Sequence, residues 1–226
     1  MISKKLAVLA AVVTISFLTT NLTRANENNI IKLPEITNFN DASLYDAIKN
    51  RRSRRTFDAR ALEVEEVAAL LFAAQGQTDA SGKRTAPSAR ATYPLNTYVV
   101  VNNVNGLSQG IYQYNGAENS LTLKLAGDFS KSIAASANNQ ASMVNAKAVV
   151  IFTSIHNKTA GFKDLGSKFA YMETGHASQN LYLAAEALKL GTVTVVSFNE
   201  TVVKDLFKFD NDEEVIYFMP VGAQEK

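Results

Sequence analysis

Hydrophobic and polar positions follow two periods along the chain, and these periods separate predicted helices from predicted strands. Apolar residues at helical spacing predict α-helices at residues 44–50, 63–74 and 168–190. An alanine-rich stretch predicts a further helix at residues 128–143. Alternating or continuous apolar runs rich in β-branched residues predict strands at residues 95–102, 110–115, 121–125, 148–154, 192–198 and 215–219.

The ends of these elements carry recognisable capping and turn residues. Asp41 or Ser43 can cap the first helix, while Gly76 and Gly191 are expected to stop the second and the longest. Residues 26–40 are predicted to be an extended lead-in and residues 76–90 a loop. Helices interspersed with antiparallel-looking strands predict an α+β fold with one central, mostly antiparallel sheet flanked by helices. No linker divides residues 26–226, so they are predicted to form one domain.

The N-terminus has the pattern of a secretory signal peptide. Two lysines precede a short apolar run over residues 6–18, and the small residues Thr23 and Ala25 follow it. The run is shorter than the roughly 20 residues of a membrane span. We therefore predict a signal peptide at residues 1–25, cleavage near Ala25 and a periplasmic or secreted mature protein. An uncleaved N-terminal anchor is the alternative.

Charge and cysteine content narrow the classes of function. The chain has 23 basic and 21 acidic residues. Removing residues 1–25 takes away three basic residues and no acid, so the mature chain has a net charge of −1. Nucleic acid and anionic membranes are thus not expected as partners. The absence of cysteine excludes disulfides and thiolate metal sites, and with two separated histidines no metal site is predicted.

The segment Arg51-Arg52-Ser53-Arg54-Arg55 is the most unusual local feature of the sequence. Four adjacent guanidiniums repel one another unless an anion or an acid lies among them. Arginine and serine together suit a phosphate group, whereas a solvated basic face is the competing interpretation. The segment also resembles a twin-arginine export signal, but it is internal and acidic residues follow it where such a signal needs apolar ones.

Two further segments indicate a function only when they are considered together with the arginine segment. Residues 85–94 hold small residues that let a ligand approach the backbone, together with Tyr93. Residues 191–200 join a predicted helix stop to a strand and to polar residues. Six motifs in this order resemble the nitroreductase family, and within it the SagB-type (azoline-oxidase-like) dehydrogenases: RRSRR (51–55), LLFAAQG (70–76), APSA (86–89), ATYPL (91–95), GHASQNLYL (175–183) and MPVG (219–222).

The resemblance implies an FMN enzyme built as an intertwined homodimer. The residues expected to hold the phosphate, ribityl chain and pyrimidine edge are Arg51, Arg52, Ser53 and Arg55. The residues expected to approach the flavin from the partner chain are Pro87, Ser88, Ala89 and Tyr93. Backbone N–H groups of Val196 and Ser197 are expected near the flavin N5 and O4. No catalytic acid or base is assigned, and His176 is interpreted as a structural helix residue.

The function implied by this resemblance is an exported FMN-dependent oxidoreductase that cycles flavin between an electron donor and an acceptor. NAD(P)H is the usual donor of the family, but it is scarce outside the cytoplasm. Dehydrogenation of a small or peptide-borne substrate is therefore expected at least as much as nitro-group reduction. The alternatives are a flavin-binding protein without turnover and a cofactor-free domain that kept the fold. Arg90 stands where this branch usually has glycine, so it is expected to alter the flavin-facing loop or to supply a substrate-binding cation.

Overall fold

Seven β-strands form one sheet at the centre of the computed structural model, which describes residues 29–36, 39 and 42–225. The predicted signal peptide lies outside these residues. The strands are β1 (Ile30–Lys32), β3 (Leu95–Val101), β5 (Gly110–Asn115), β6 (Ser120–Ala126), β7 (Ala148–Ile155), β8 (Leu190–Thr192) and β9 (Glu213–Ala223). Their order is β1-β6-β5-β3-β7-β9-β8, and every neighbouring pair is antiparallel, as predicted. A separate parallel pair joins β2 (Leu62–Glu63) to β4 (Val104–Asn105).

Helices cover both faces of this sheet. They are α1 (Leu44–Asn50), α2 (Val64–Gln75), α3 (Ser130–Ser136), α4 (Ala141–Val144), α5 (His156–Thr159), α6 (Gly166–Ala187) and α7 (Glu200–Phe207), with 3-10 turns at Ala89–Ala91 and Ala160–Leu165. Ser43 caps α1 by accepting a hydrogen bond from the Asp46 N–H, which confirms one of the two predicted caps. None of the helices in the described part of the chain combines the length and apolar character needed to cross a membrane.

Each face of the sheet packs its own apolar layer. Leu71 of α2 and Leu181 of α6 are fully buried in the first layer, against Val99 of β3. The next residue in that strand, Val100, lies in the second layer with Ile133 of α3. This alternation follows from the two-residue period of a strand. Burial of each large apolar side chain stabilises the fold by about 1.5–3 kcal/mol. The layer formed by α2 and α6 therefore holds α6, the helix that carries much of the site, against the sheet.

Two predicted helices end differently from expectation. The stretch 128–143 is not one helix, because Asn138 and Asn139 adopt left-handed φ angles of 57° and 50° between α3 and α4. Asparagine tolerates this conformation better than most residues. The long helix ends at Ala187, and the turn is made by Lys189 at φ 57°. Gly191 is therefore a strand residue of β8 and not the helix stop.

The predicted strand at 192–198 is wrong beyond Thr192. Beyond Thr192, backbone pairing with the sheet recurs at Val195, whose N–H and carbonyl both bond Phe218, while the Phe198 ring stacks on the Phe218 ring. Phe218 and Pro220 are two residues apart in β9, so their backbone groups face the same neighbour. Pro220 has no N–H to donate to that neighbour, which interrupts the ladder. The sequence pattern also missed β1, β2, β4, α5 and α7.

Candidate functional site

The arginine segment crosses the edge of the sheet beside β8. The Arg54 N–H donates to the Thr192 carbonyl at 2.9 Å, and the Asp58 N–H donates to the Ala223 carbonyl at 3.0 Å. Between these bonds, Phe57 packs so closely that a Cβ on Gly222 would lie 2.5 Å from the Phe57 Cβ. Glycine is required there by this approach of the segment to β9. The backbone of the arginine cluster is thus fixed to the sheet.

One of the four arginines is neutralised by the protein. The Arg54 Nη2 group lies 3.2 Å from both carboxylate oxygens of Glu186, which is buried on α6. Both contacts come from one nitrogen, so this ion pair lacks the two parallel bonds of a guanidinium fork, and the buried Arg54 Nε has no partner among the described residues. Arg54 nevertheless anchors the segment to α6 through its pair with Glu186.

The other three arginines form no ion pair with the part of the chain that the structure describes. Arg52 donates to the carbonyls of Lys49 and Arg51 at 2.9 and 2.8 Å. Arg55 reaches only the Ser53 carbonyl, at 3.5 Å, and both Arg52 and Arg55 are exposed. The Arg51 guanidinium lies 5.1 Å from the ring centroid of Tyr182. Three positive charges therefore lie within five residues of the sequence, on either side of Ser53, and none of them has an acidic partner among the described residues.

Tyr182 joins this cluster to the segment after β8. Its hydroxyl accepts a hydrogen bond from the Thr194 N–H at 2.7 Å and lies 3.5 Å from the Ser53 Oγ. The Tyr182 ring is partly buried and packs against the first apolar layer. Tyr182 and Glu186 are four residues apart on α6 and therefore share a helix face. Both side chains contact the arginine segment.

The segment containing Val196 and Ser197 presents free backbone donors. Val196 is 64% exposed, and the Ser197 carbonyl accepts a bond from Gln140 at 3.3 Å. The N–H groups of Val196 and Ser197 donate to no atom among the residues described by the structure. Because Tyr182 ties Thr194 to Ser53, these donors are on the same side of the fold as the arginines. The structure thus brings together the first and third predicted segments.

The predicted loop residues Pro87, Ser88, Ala89 and Tyr93 are held by the other half of α6. The Ala89 N–H donates to the Glu173 carboxylate at 2.8 Å, and the Tyr93 N–H donates to the Ser88 Oγ at 2.9 Å. Glu173 is nine residues before Tyr182, a rise of about 13 Å along a helix. Within one chain, the structure therefore does not bring the loop next to the arginine cluster.

Strain is concentrated at the end of this loop. Arg90, Ala91 and Tyr93 have φ angles of 51°, 54° and 43°, in the left-handed region that favours glycine. The Arg90 guanidinium lies 5.1 Å from the Phe162 ring centroid. Glycine at position 90 would adopt this backbone without strain.

Four further residues of α6 carry polar or charged side chains: Lys168, Tyr171, Glu173 and His176. The acceptor Glu173 lies at helical spacing between Ala170 and Ala177, both buried. A carboxylate on a buried apolar helix face needs a hydrogen-bond partner. The position of Glu173 among apolar residues is therefore the signal by which the sequence could have identified it. His176 is exposed, so it is not a buried structural histidine. Lys168 is exposed, and the Tyr171 hydroxyl donates to Glu214 at 2.7 Å, which raises the pKa of Tyr171 to about 12.

With the geometry established, comparison with known proteins places the chain. The model of the family described as "Nitroreductase family" matches residues 48–223. The chain belongs to the nitroreductase family. A protein of Methanocaldococcus jannaschii, provisionally named a nitroreductase, is 36% identical over 195 residues, which are 86% of this chain and 96% of that protein. Membership identifies the chain as a nitroreductase-family oxidoreductase.

Solved structures agree with the nitroreductase fold. A provisionally named nitroreductase from Ralstonia eutropha superposes with a TM-score of 0.76 at 25% identity, over 88% of this chain and 90% of that one. The NADPH:FMN oxidoreductase of Vibrio harveyi, solved with NAD+, gives a TM-score of 0.59 at 18% identity, over 81% of this chain and 69% of that one. The second likeness is one of fold alone.

Proposed function

We propose that this nitroreductase-family protein is an exported FMN-dependent oxidoreductase that cycles its flavin between an electron donor and an acceptor and acts on a small or peptide-borne substrate. The observation that carries the proposal is the charge arrangement of the arginine segment. Arg54 is paired with Glu186, whereas Arg51, Arg52 and Arg55, which flank Ser53 in the sequence, pair with no carboxylate among the described residues. A dianionic phosphate is the partner that such a cluster suits.

The residues of the chain fit FMN in three ways. The free guanidiniums and Ser53 would hold the phosphate end, and the rigid backbone between β8 and α6 would orient them. The unpaired N–H groups of Val196 and Ser197 would donate to the flavin ring. The bound FMN would supply the acceptance and release of two electrons. The chain's task is then to bind, orient and polarise the cofactor, and no acid or base of its own is assigned.

A second copy of the chain would complete the site. Leu44, Tyr45 and Ile48 of α1 are 66%, 69% and 57% exposed, although Leu44 and Ile48 share the apolar face predicted for that helix. Next to them lies an apolar groove of about 330 Å³, lined in part by Phe72 and Leu183. Exposed apolar surface of this kind is typical of interfaces. We propose that it is covered in a homodimer, which would bring the Pro87–Ala89 loop of one protomer to the arginines of the other.

Light scattering tests the dimer through a surface substitution. The mature protein should have twice the mass of the chain, and Ile48→Glu should shift it to a monomer, because burying an unpaired carboxylate in an interface is strongly unfavourable. Val144→Glu is the matched control, because Val144 is 53% exposed on α4, outside the groove. A monomeric unmodified protein with stoichiometric FMN would contradict the shared site.

Export is tested at the N-terminus. The proposal requires that the protein recovered outside the cytoplasm begins near Asn26, because Thr23 and Ala25 are suitable for signal peptidase. N-terminal sequencing of the exported protein measures this directly. An intact Met1 on membrane-bound protein would show the anchor alternative.

Cofactor preference tests the proposed function itself. FMN titrated into cofactor-free mature protein should bind stoichiometrically, with the absorbance of the flavin perturbed. Riboflavin, which lacks the phosphate, should bind at least about tenfold more weakly, since charge-assisted hydrogen bonds contribute about 1.5–3 kcal/mol each. Equal binding of the two flavins would show that the arginine cluster is a solvated basic face and not a phosphate site.

A further inference from the structure

A second cluster of polar groups surrounds a cavity on another part of the sheet. The cavity, of about 250 Å³, lies where the C-terminal end of α2 meets the starts of β3 and β6 and the end of β5. In the sheet order, β7 and β9 separate β3 from β8, the strand beside the arginine segment. Its lining includes one cation and no carboxylate: Gln75, Arg84, Leu95, Asn96, Thr97, Gln113, Tyr114, Asn115, Gly116 and Thr122.

Arg84 supplies the positive charge of this cavity. Its Nη1 donates to the Gln75 Oε1 at 3.0 Å, and its guanidinium lies 4.6 Å from the ring centroid of Tyr93. It forms no ion pair with the residues in the described ranges. Burial lowers the pKa of Arg84, and the nearby Glu173 carboxylate offsets this effect only in part, which reflects the cost of holding the guanidinium away from water. An anion in the cavity would remove that cost.

Thr97 provides an independent sign of a missing ligand. Its side chain is only 3% exposed, and its Oγ1 atom is buried without a hydrogen-bond partner among the described residues. Buried hydroxyls are almost always paired, because an unpaired one costs about 1–3 kcal/mol. Gln75 is equally buried, and its Nε2 donates to no described residue. The cavity therefore contains a buried hydroxyl without a partner, an amide N–H2 without an acceptor among the described residues, and a guanidinium whose one recorded acceptor is the Gln75 Oε1.

From this arrangement we propose that the Arg84 cavity binds a small monocarboxylate with a polar body. Arg84 is the one cation among the described residues that line the cavity, with Lys158 nearby but outside the lining, and one lining cation matches one negative charge, whereas a phosphate dianion generally needs several cations. A cavity of about 150 Å³ holds benzene, so 250 Å³ has room for about eight to ten non-hydrogen atoms. The amides of Gln113 and Asn115 would pair with polar groups of the ligand body. This site is additional to the proposed flavin site.

N-acetylglycine is a suitable probe, because it has one carboxylate, one amide and eight non-hydrogen atoms. N-acetylglycinamide is its neutral counterpart of equal size. Titration of the mature full-length protein, followed by the amide signals of Gln75 and Thr97 in nuclear magnetic resonance spectra, should show saturable binding of the acid. The acid should bind at least about tenfold more tightly than the amide, as expected for one charge-assisted contact.

Three variants separate the site from general effects on folding. Arg84→Gln should abolish the preference for the acid, whereas Lys83→Gln should leave it unchanged, because Lys83 is exposed, pairs with Asp79 and does not line the cavity. Thr97→Val should weaken binding of the acid without lowering the unfolding temperature, since the hydroxyl that it removes has no partner.

Three outcomes would overturn the proposal. They are equal binding of N-acetylglycine and its amide, retention of the preference in Arg84→Gln, and displacement of the acid by inorganic phosphate at a lower concentration than the acid itself requires. The last result would identify a phosphate site and not a carboxylate site. None of these readouts depends on flavin, so they can fail while the FMN proposal stands.

Discussion

The arginine segment at β8 and the loop of residues 76–94 both carry exposed cations, but the protein holds them in different ways. Main-chain hydrogen bonds to β8 and β9 and the close contact with Gly222 fix the first. In the second, the main-chain bonds of the first half mostly close the loop on itself, such as Thr85 N–H to the Gly76 carbonyl, while the Ala89 and Tyr93 N–H groups bond the side chains of Glu173 and Ser88. The loop ends in three residues with left-handed φ angles. The sheet edge thus fixes the backbone of the arginine segment, while the Glu173 side chain fixes the later half of the loop to α6.

The largest expected effect comes from removing the close approach at the sheet edge. Gly222→Ala would place a Cβ 2.5 Å from the Phe57 Cβ, so the arginine segment must move. We expect the free energy of unfolding to fall by about 2–3 kcal/mol, as for other overpacked positions. Urea denaturation measures this change. Combining Gly222→Ala with Phe57→Ala should give less than the sum of the two losses, and strict additivity would show that the contact is not the cause.

A smaller loss is expected when the anchoring ion pair is broken. Glu186→Ala leaves Arg54 partly buried without its carboxylate and should cost about 2 kcal/mol, below the range for fully buried pairs because Arg54 is 33% exposed at its side chain. Denaturation of Glu186→Ala and of Arg54→Met with Glu186→Leu provides the comparison. The double variant should recover part of the loss, whereas a greater loss would contradict a role confined to pairing.

In the loop, Glu173→Ala should lower the free energy of unfolding by about 1–2 kcal/mol, because it leaves the Ala89 N–H without its acceptor. Glu173→Gln keeps an acceptor oxygen and should retain most of the stability. Hydrogen exchange at the Ala89 amide should accelerate in the alanine variant well beyond any change in global stability. Equal exchange in both variants would show that the loop does not depend on this bond.

The smallest effect concerns the strained end of the loop. Arg90→Gly and Arg90→Ala both remove the contact with Phe162, but only glycine relieves the left-handed φ angle of 51°. The glycine variant should therefore be more stable than the alanine variant by about 1 kcal/mol. Thermal unfolding of the two variants measures this difference. An alanine variant of equal or higher stability would show that the backbone at position 90 is not strained.

The central sheet and the principal helices were predictable from periodicity, since burial on one face imposes the pattern directly. The segment after Thr192 was not, because its apolar residues suit a strand while the interruption comes from Pro220, which is distant in sequence. The break between α3 and α4 depends on two asparagines that adopt left-handed backbone conformations. Local composition does not show either event.

The candidate site was predictable in part. The RRSRR motif identified the cluster. The motif could not show that Arg54 is paired while the other three arginines are not, because Glu186 is 132 residues away from Arg54 in the sequence. The same is true of the tyrosine hydroxyl that ties Ser53 to Thr194. The Arg84 cavity is formed by residues from four separate elements and has no motif of its own.

One titration tests the central claim that Arg51, Arg52 and Arg55 form a phosphate site. FMN and riboflavin are titrated into unmodified protein, Arg55→Ala and the control Lys124→Ala, an exposed cation of β6 at the far side of the sheet from β8. Arg55→Ala should weaken FMN binding about tenfold to a hundredfold and leave riboflavin binding nearly unchanged, while Lys124→Ala should alter neither. A parallel loss of both flavins in Arg55→Ala, or an unchanged affinity for FMN, would contradict the account.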